Sequence, residues 1–158
     1  MNVTIIADAS HCPETGAGGY GFWIACGRGR IGGNGEFKLP VESSCTAEMQ
    51  AIINALHSAI KKGLVCKEDI VLIQTDCQQA IDNFLKFRTG TTHEQKLVKI
   101  LYELENKNNL DTRFKHVPGH TSGHEPRLAA NNTCDRQARA HMRKARGRIL
   151  EVTKVLKK

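Results

Sequence analysis

The sequence predicts an α/β domain built on a mixed five-stranded sheet, its first three strands antiparallel, with helices on its faces. Three observations predict it. Three β-like runs fill residues 3–39 before any helical pattern begins. Two more strand-like runs, at 69–76 and 111–117, then alternate with segments of helical periodicity. The chain is 158 residues long and 40% apolar, enough for one domain to bury its own core, and neither a linker nor an internal repeat divides it.

Each element has its own local reason. "VTIIADAS" (3–10) is a β-branched apolar run and reads as a buried strand. "GGYGFWIACG" (18–27) alternates aromatic and small residues as a second strand. "RIGGNGEFKL" (30–39) reads as a third, its glycines marking hairpin turns or bulges. These three form an antiparallel meander that Pro40 closes. In "SSCTAEMQAIINALHSAIKKG" (43–63), Ala51, Ile52, Ala55, Leu56, Ala59 and Ile60 share one helical face. Ser43, Ser44 or Thr46 caps its start and Gly63 ends it. "DIVLIQTD" (69–76) is an apolar run ending in an acid, the pattern of a buried parallel strand. "CQQAIDNFLKF" is a helix with Ile81, Phe84 and Leu85 inward, and "THEQKLVKILYELEN" another with Leu97, Ile100, Leu101 and Leu104 inward. "DTRFKHV" (111–117) is the fifth strand, "PGHTSGHEPRLAANN" a loop, and "TCDRQARAHMRKARGRIL" a last, basic helix that opens just before Asp135.

Net charge is +7. It concentrates at the end: Arg136 to Lys158 holds nine Lys or Arg and one Glu. Such a balance predicts affinity for polyanions. Aromatic residues are only 5%, which disfavours a base-stacking platform for single strands. No apolar run approaches the ~20 residues that span a bilayer, and the start lacks the pattern of a secretory signal. Six cysteines form no C-x-x-C, so they read as reduced, core-compatible thiols of a cytoplasmic protein rather than a zinc or redox motif.

"TGAGGYGFW" (15–23) contains a literal G-x-G-x-x-G. A dinucleotide fingerprint needs that turn to lead into a helix, whose N-terminus holds the phosphates. Here "YGFWIAC" follows, a strand, so no nucleotide cofactor is expected. The glycines read instead as the tight return from the first strand to the second.

Four acids stand at the ends of elements. Asp8 interrupts the first strand, a costly place for a carboxylate unless it is paired or binds a cation. Glu48 lies one turn into the first helix, Asp76 ends the most apolar strand, and Asp135 opens the last helix. Each also has a plain reading, as a helix N-terminal charge or cap. If the first and fourth strands are neighbours, however, Asp8 and Asp76 lie side by side with Glu48 in reach. Clustered carboxylates repel one another without a cation, and hard oxygen ligands suit Mg²⁺ or Mn²⁺.

These residues resemble ribonuclease H of type 1 across nearly the whole chain. "IADAS" is similar to that family's first-strand aspartate motif, and "AGGYGFW" to its glycine-rich entry into the second strand. "CTAEMQAIINAL" resembles its Glu-bearing helix, and "IQTDCQQAI" its strand-end Asp followed by Ser-Gln. "KHVPGHTSGHEP" with "NNTCDRQAR" resembles its histidine loop and final Asp. The resemblance implies a single ribonuclease H-like catalytic domain over 1–149 with a basic tail at 150–158. It implies metal-binding carboxylates at Asp8, Glu48, Asp76 and Asp135, and a loop histidine at His120, with His124 as the alternative. It further implies hydrolysis of the RNA strand of an RNA–DNA hybrid by a monomer using two Mg²⁺ ions, Mn²⁺ being a substitute. Products would be a 5′-phosphate and a 3′-hydroxyl. Ser10, His11, Ser44, Cys45 and Gln78 flank the acids and are the candidate contacts to the hybrid.

The chain departs from the family pattern in four places. Ala9 replaces the usual Gly after the first Asp, and Ser44 and Cys45 stand where many relatives have Asn. No long Trp- and Lys-rich insertion follows Asp76, a role the basic C-terminal segment is expected to take. The histidine loop is longer than the pattern requires. The alternative functions are a DNA nuclease or strand-transferase of the same architecture and a non-catalytic hybrid-binding module. The helix-borne Glu48 and the Gly-His loop argue against the first, and the presence of every acid against the second.

Overall fold

A computed structural model describes residues 1–118 and 126–157. The strands are β1 (Asn2–His11), β2 (Gly18–Cys26), β3 (Gly29–Glu36), β4 (Ile70–Thr75) and β5 (Asp111–His116). The helices are α1 (Ser44–Lys61), α2 (Gln78–Phe84), α3 (Thr92–Asn108) and α4 (Pro126–Leu156). The sheet order is β3-β2-β1-β4-β5. β1, β2 and β3 pair antiparallel, while β4 runs parallel to β1 and β5 parallel to β4. This is the mixed five-stranded sheet that the sequence predicts.

Alternation along the strands sends two sets of side chains to two helical layers. Val3, Ile5 and Ala7 of β1, Phe22 and Ile24 of β2, and Val71 and Ile73 of β4 join the main core with Ala51, Ile52, Ala55, Leu56 and Ala59 of α1. On the other face α4 crosses β1, β2 and β3. There Cys134 and Ala138 are buried, and Ala145, Met142 and Ile149 pack with Cys12 and Ala17. Ser43 caps α1, its hydroxyl accepting from the Thr46 N–H at 3.1 Å. Gly63 past its end takes φ +76°, the left-handed turn that stops the helix. At the sheet's far end, Arg28 binds the buried Asp69 with two hydrogen bonds, holding its carboxyl well below the usual range. No helix among the described residues is long and apolar enough to cross a membrane.

The glycines of 15–23 divide their work. Gly16, at φ +76°, makes the return between β1 and β2, with its N–H bonded to the Cys12 carbonyl at 2.9 Å. Gly18 and Gly21 lie inside β2, not at a helix start. Gly19 and Gly21 lie against α4: a Cβ on Gly19 would meet the Ala138 carbonyl at 2.4 Å, and one on Gly21 the Cys134 carbonyl at 2.7 Å. They let the last helix approach the sheet.

Several expected details are corrected. β3 pairs with β2 without a bulge or internal turn; its Gly33 lies opposite Phe22, whose ring occupies the space of a side chain. Leu85 falls after the end of α2 and is exposed, and Ile100 is turned outward on α3. α4 begins at Pro126, not Thr133, so half of the expected loop is helix. It also runs on without a break through residues 150–156, so the basic tail continues that helix.

Candidate active site

Sheet register brings the acids together. Ile6 of β1 pairs with Gln74 of β4, so two residues further along both strands Asp8 and Asp76 emerge side by side. Glu48, one turn past the Ser43 cap, reaches the same point from α1. Asp8 is 2% exposed and Glu48 8%. One carboxylate oxygen from each of Asp8, Glu48 and Asp76 lies within 4.8 Å of the other two. Asp135 comes from α4, where it neighbours Asp8 and is paired with Arg139 one turn on, Nε to Oδ1 at 3.3 Å. Because α4 starts early, Asp135 sits well inside the helix, not in its first turn, so its placement owes nothing to the helix N-terminus.

The electrostatics are those of a buried anionic cluster. The Ala9 N–H is 2.9 Å from Asp8 Oδ1 and 3.2 Å from Glu48 Oε1, while Glu48 Oε2 is buried without a hydrogen-bond partner. Burial and the neighbouring Asp76 push the Asp8 carboxyl up to about 8, and Asp135 adds to the rise. Burial, Asp8 and Asp76 raise Glu48 well above its ordinary value. The buried Cys134 thiol behind them is pushed up to about 12 by burial and by Asp8. Oxygen-only donors, a buried carboxylate oxygen left without a partner and mutually raised acidities are what a hard divalent cation relieves. The residues therefore fit such an ion, which Asp8, Glu48 and Asp76 could hold with Asp135 beside them.

The other expected site residues have different fates. Ser10 and His11 follow Asp8 at the end of β1, both half-buried, and His11 Nε2 donates to the Val41 carbonyl at 2.8 Å. Ser44 is exposed at the start of α1. Cys45 beside it is buried, its Sγ accepting from Asn83 Nδ2 at 3.5 Å. Gln78 is exposed at the start of α2, its Nε2 donating to Asp82 Oδ1 at 2.9 Å. His120 and His124 lie outside the described residues.

Two neighbours of the cluster were given no part in it by the sequence. His116, at the end of β5, donates from Nε2 to the Asp76 carbonyl at 3.1 Å, tying the fifth strand to the site. Only the strand pairing Thr75–His116 reveals it. Arg139 was legible, because Asp135 and Arg139 stand four apart on a helix. The Cys77 thiol, next to Asp76, is lowered to about 7 by its hydrogen bond with Cys45.

The RNase H family profile matches residues 1–143. The N-terminal RNase H domain of a Mycobacterium tuberculosis protein, solved as a fusion with maltose-binding protein, is similar to this chain with a TM-score of 0.70. It is 21% identical, and the match covers 92% of this chain and 96% of that one. RNase H1 from the halophilic archaeon Halobacterium salinarum is similar with a TM-score of 0.69 at 19% identity, over 92% of this chain and 100% of that one. LC11-RNase H1, solved in complex with an RNA/DNA hybrid, is similar with a TM-score of 0.69 at 16% identity, over 90% of this chain and 98% of that one. At these identities the structural likeness is one of fold. No curated protein sequence matches the chain significantly.

Proposed function

Since the chain belongs to the RNase H family, we propose that it is an endonuclease that hydrolyses the RNA strand of RNA–DNA hybrids, leaving a 5′-phosphate and a 3′-hydroxyl. The observation that carries this reading is the meeting of Asp8, Glu48 and Asp76 within 4.8 Å at the carboxyl end of the central strands. Asp8, Glu48, Asp76 and Asp135 would hold two Mg²⁺, with Mn²⁺ as a substitute. Bound there, such ions lower the pKa of a water and stabilise the charge on the departing 3′ oxygen.

The chain's own residues do the rest. Asp8 is buried beside Glu48 and Asp76, and Asp135 neighbours it, so it would be a central ligand of the cluster. The Ala9 N–H holds Asp8 and Glu48 in place, and His116 fixes the backbone of Asp76. His120 takes up or delivers a proton as a general base. RNA is told from DNA by its 2′-hydroxyl, read in the minor groove by Ser10, Ser44, Gln78 and the backbone around them. His11 supports that surface through its bond to Val41. Arg and Lys of α4 supply phosphate contacts that do not depend on sequence.

One chain supplies all four carboxylates, which supports reading the enzyme as a monomer. We place it in the cytoplasm, a reading supported by six free thiols. The test is a cleavage panel of an RNA–DNA hybrid, duplex DNA and duplex RNA in Mg²⁺. Cutting confined to the RNA of the hybrid supports the proposal, and cutting of duplex DNA alone assigns the chain to a DNA nuclease.

A further inference from the structure

Two thiols meet beside the carboxylates. Cys45 lies in the first turn of α1, three residues before Glu48, so the two side chains share a helix face. Cys77 directly follows Asp76 and stands at the N-cap of α2, where its side chain makes no capping bond. Glu48 and Asp76 have carboxylate oxygens within 4.8 Å of each other. The same approach of α1 to the end of β4 brings the two thiols into a hydrogen bond. Cys45 is 6% exposed. Its sulfur is held by Asn83 of α2, whose Nδ2 donates to it at 3.5 Å and to Met49 Sδ at 3.4 Å. Cys77 is only half-buried, so a small solute reaches Cys77 first and Cys45 through it. Three other thiols are placed differently: Cys26, Cys66 and Cys134 each donate to a backbone carbonyl, of Leu64, Gly63 and Ile6.

We propose that Cys45 and Cys77 form a reversible disulfide in the presence of peroxide, and that closing it weakens Mg²⁺ binding and cleavage at the neighbouring acids. The chemistry balances in two steps. The Cys77 sulfur attacks one oxygen of hydrogen peroxide and the O–O bond breaks. Cys77 becomes a sulfenic acid, and its thiol proton leaves with the other oxygen as water. The Cys45 sulfur then attacks the Cys77 sulfur, the S–O bond breaks, and the departing hydroxyl takes the Cys45 proton as a second water. Two thiols are oxidised and one peroxide is reduced to two waters. A dithiol reverses the bond by exchange. A covalent bond holds two sulfurs closer than a hydrogen bond does, so closure draws the start of α2 toward α1. Asp76 and Glu48, next to Cys77 and one turn from Cys45, then lose their mutual placement. Transient, redox-sensing disulfides of this kind are compatible with a reducing compartment. The effect on cleavage rests on the hydrolytic reading; the bond itself does not.

The test exposes the reduced full chain to hydrogen peroxide. Intact mass should fall by two hydrogens, and peptide mapping should join the Cys45 and Cys77 peptides. The Mg²⁺-induced rise in Tm should shrink. Hybrid cleavage should slow at least about tenfold, since a misplacement of about 1 Å can cost about a hundredfold. Dithiothreitol should restore both. Cys77→Ser and Cys45→Ala, each compared with its own reduced state, should lose the linked peptides and the oxidative slowing. Cys66→Ser, at the exposed thiol, should keep them. The proposal is overturned if peroxide leaves the two thiols unlinked or carries Cys77 to a sulfinic acid with Cys45 free. It is also overturned if the linked chain takes up Mg²⁺ as the reduced chain does, or if Cys77→Ser is slowed by peroxide as much as wild type. A reduced chain that cuts no hybrid would sink the hydrolytic reading, while the linked peptides and the Mg²⁺ response would still decide this one.

Discussion

Asp8 and Glu48 share a single backbone donor: the Ala9 N–H lies 2.9 Å from Asp8 Oδ1 and 3.2 Å from Glu48 Oε1. One N–H cannot neutralise two buried carboxylates with Asp76 beside them. The metal-free protein therefore keeps a proton on this cluster where the unfolded chain has lost it. The folded Asp8 carboxyl stands at about 8 against an ordinary 3.8. The folded state binds the extra proton between these values, so stability is full below the lower one and falls as pH rises through the upper one. Urea midpoints measured in a chelator should decline from pH 4 to pH 8, and Asp8→Asn should flatten the decline. A wild-type midpoint that rises across this window would contradict the assignment.

Divalent cations should reverse that penalty. Binding at pH 7 displaces the proton and stabilises only the folded chain, by about 2.7 kcal/mol at a hundredfold excess over Kd. Calorimetric titration of Mg²⁺ in two buffers of different ionisation enthalpy should show net proton release, with a rise in Tm. In Asp76→Asn both effects should shrink together.

The contact between β2 and α4 should be intolerant of any side chain. A Cβ on Gly19 would sit 2.4 Å from the Ala138 carbonyl and 2.6 Å from the Met142 nitrogen, both backbone atoms of α4. Gly19→Ala should cost about 1–3 kcal/mol, as overpacking does, and should lower cleavage by displacing the helix that carries Asp135. Equal stability in chemical denaturation would show that α4 shifts freely.

How much of this was legible in the sequence depended on whether the signal was local. The five strands and the acids at their ends could be read, because apolar runs and an acid in a buried strand are local signals. The start of α4 was not, because "AANN" reads as loop, although Pro126 is a favoured first helical residue. The glycines of β3 suggested turns; they face rings on β2, a cross-strand relation that a single segment does not show. Burial of the Cys45 thiol depends on Asn83, which lies 38 residues away, and the link between His116 and Asp76 depends on strand pairing. Long-range contacts decided the β3 glycines and the His116 link, whereas the start of α4 is a local feature.

The end of α4 should add to hybrid affinity. It is a continuous helix through Leu156, with Lys154 exposed on it and Lys157 exposed just beyond it. Removing residues 150–158 should weaken hybrid binding and reduce the salt slope by roughly 2–3, since each phosphate contact contributes about 0.9. An unchanged slope in a salt titration would remove this segment from the phosphate contacts.

The central claim is that the carboxylate cluster performs metal-dependent hydrolysis of RNA paired with DNA. The most direct measurement is the single-turnover rate of RNA-strand cleavage in Mg²⁺ by wild type and Asp8→Asn. Loss of several kcal/mol of metal-derived stabilisation, at 1.36 kcal/mol per power of ten, predicts a fall of about a thousandfold or more, with the fold intact by circular dichroism. An Asp8→Asn protein that cuts the hybrid at the wild-type rate would contradict the account.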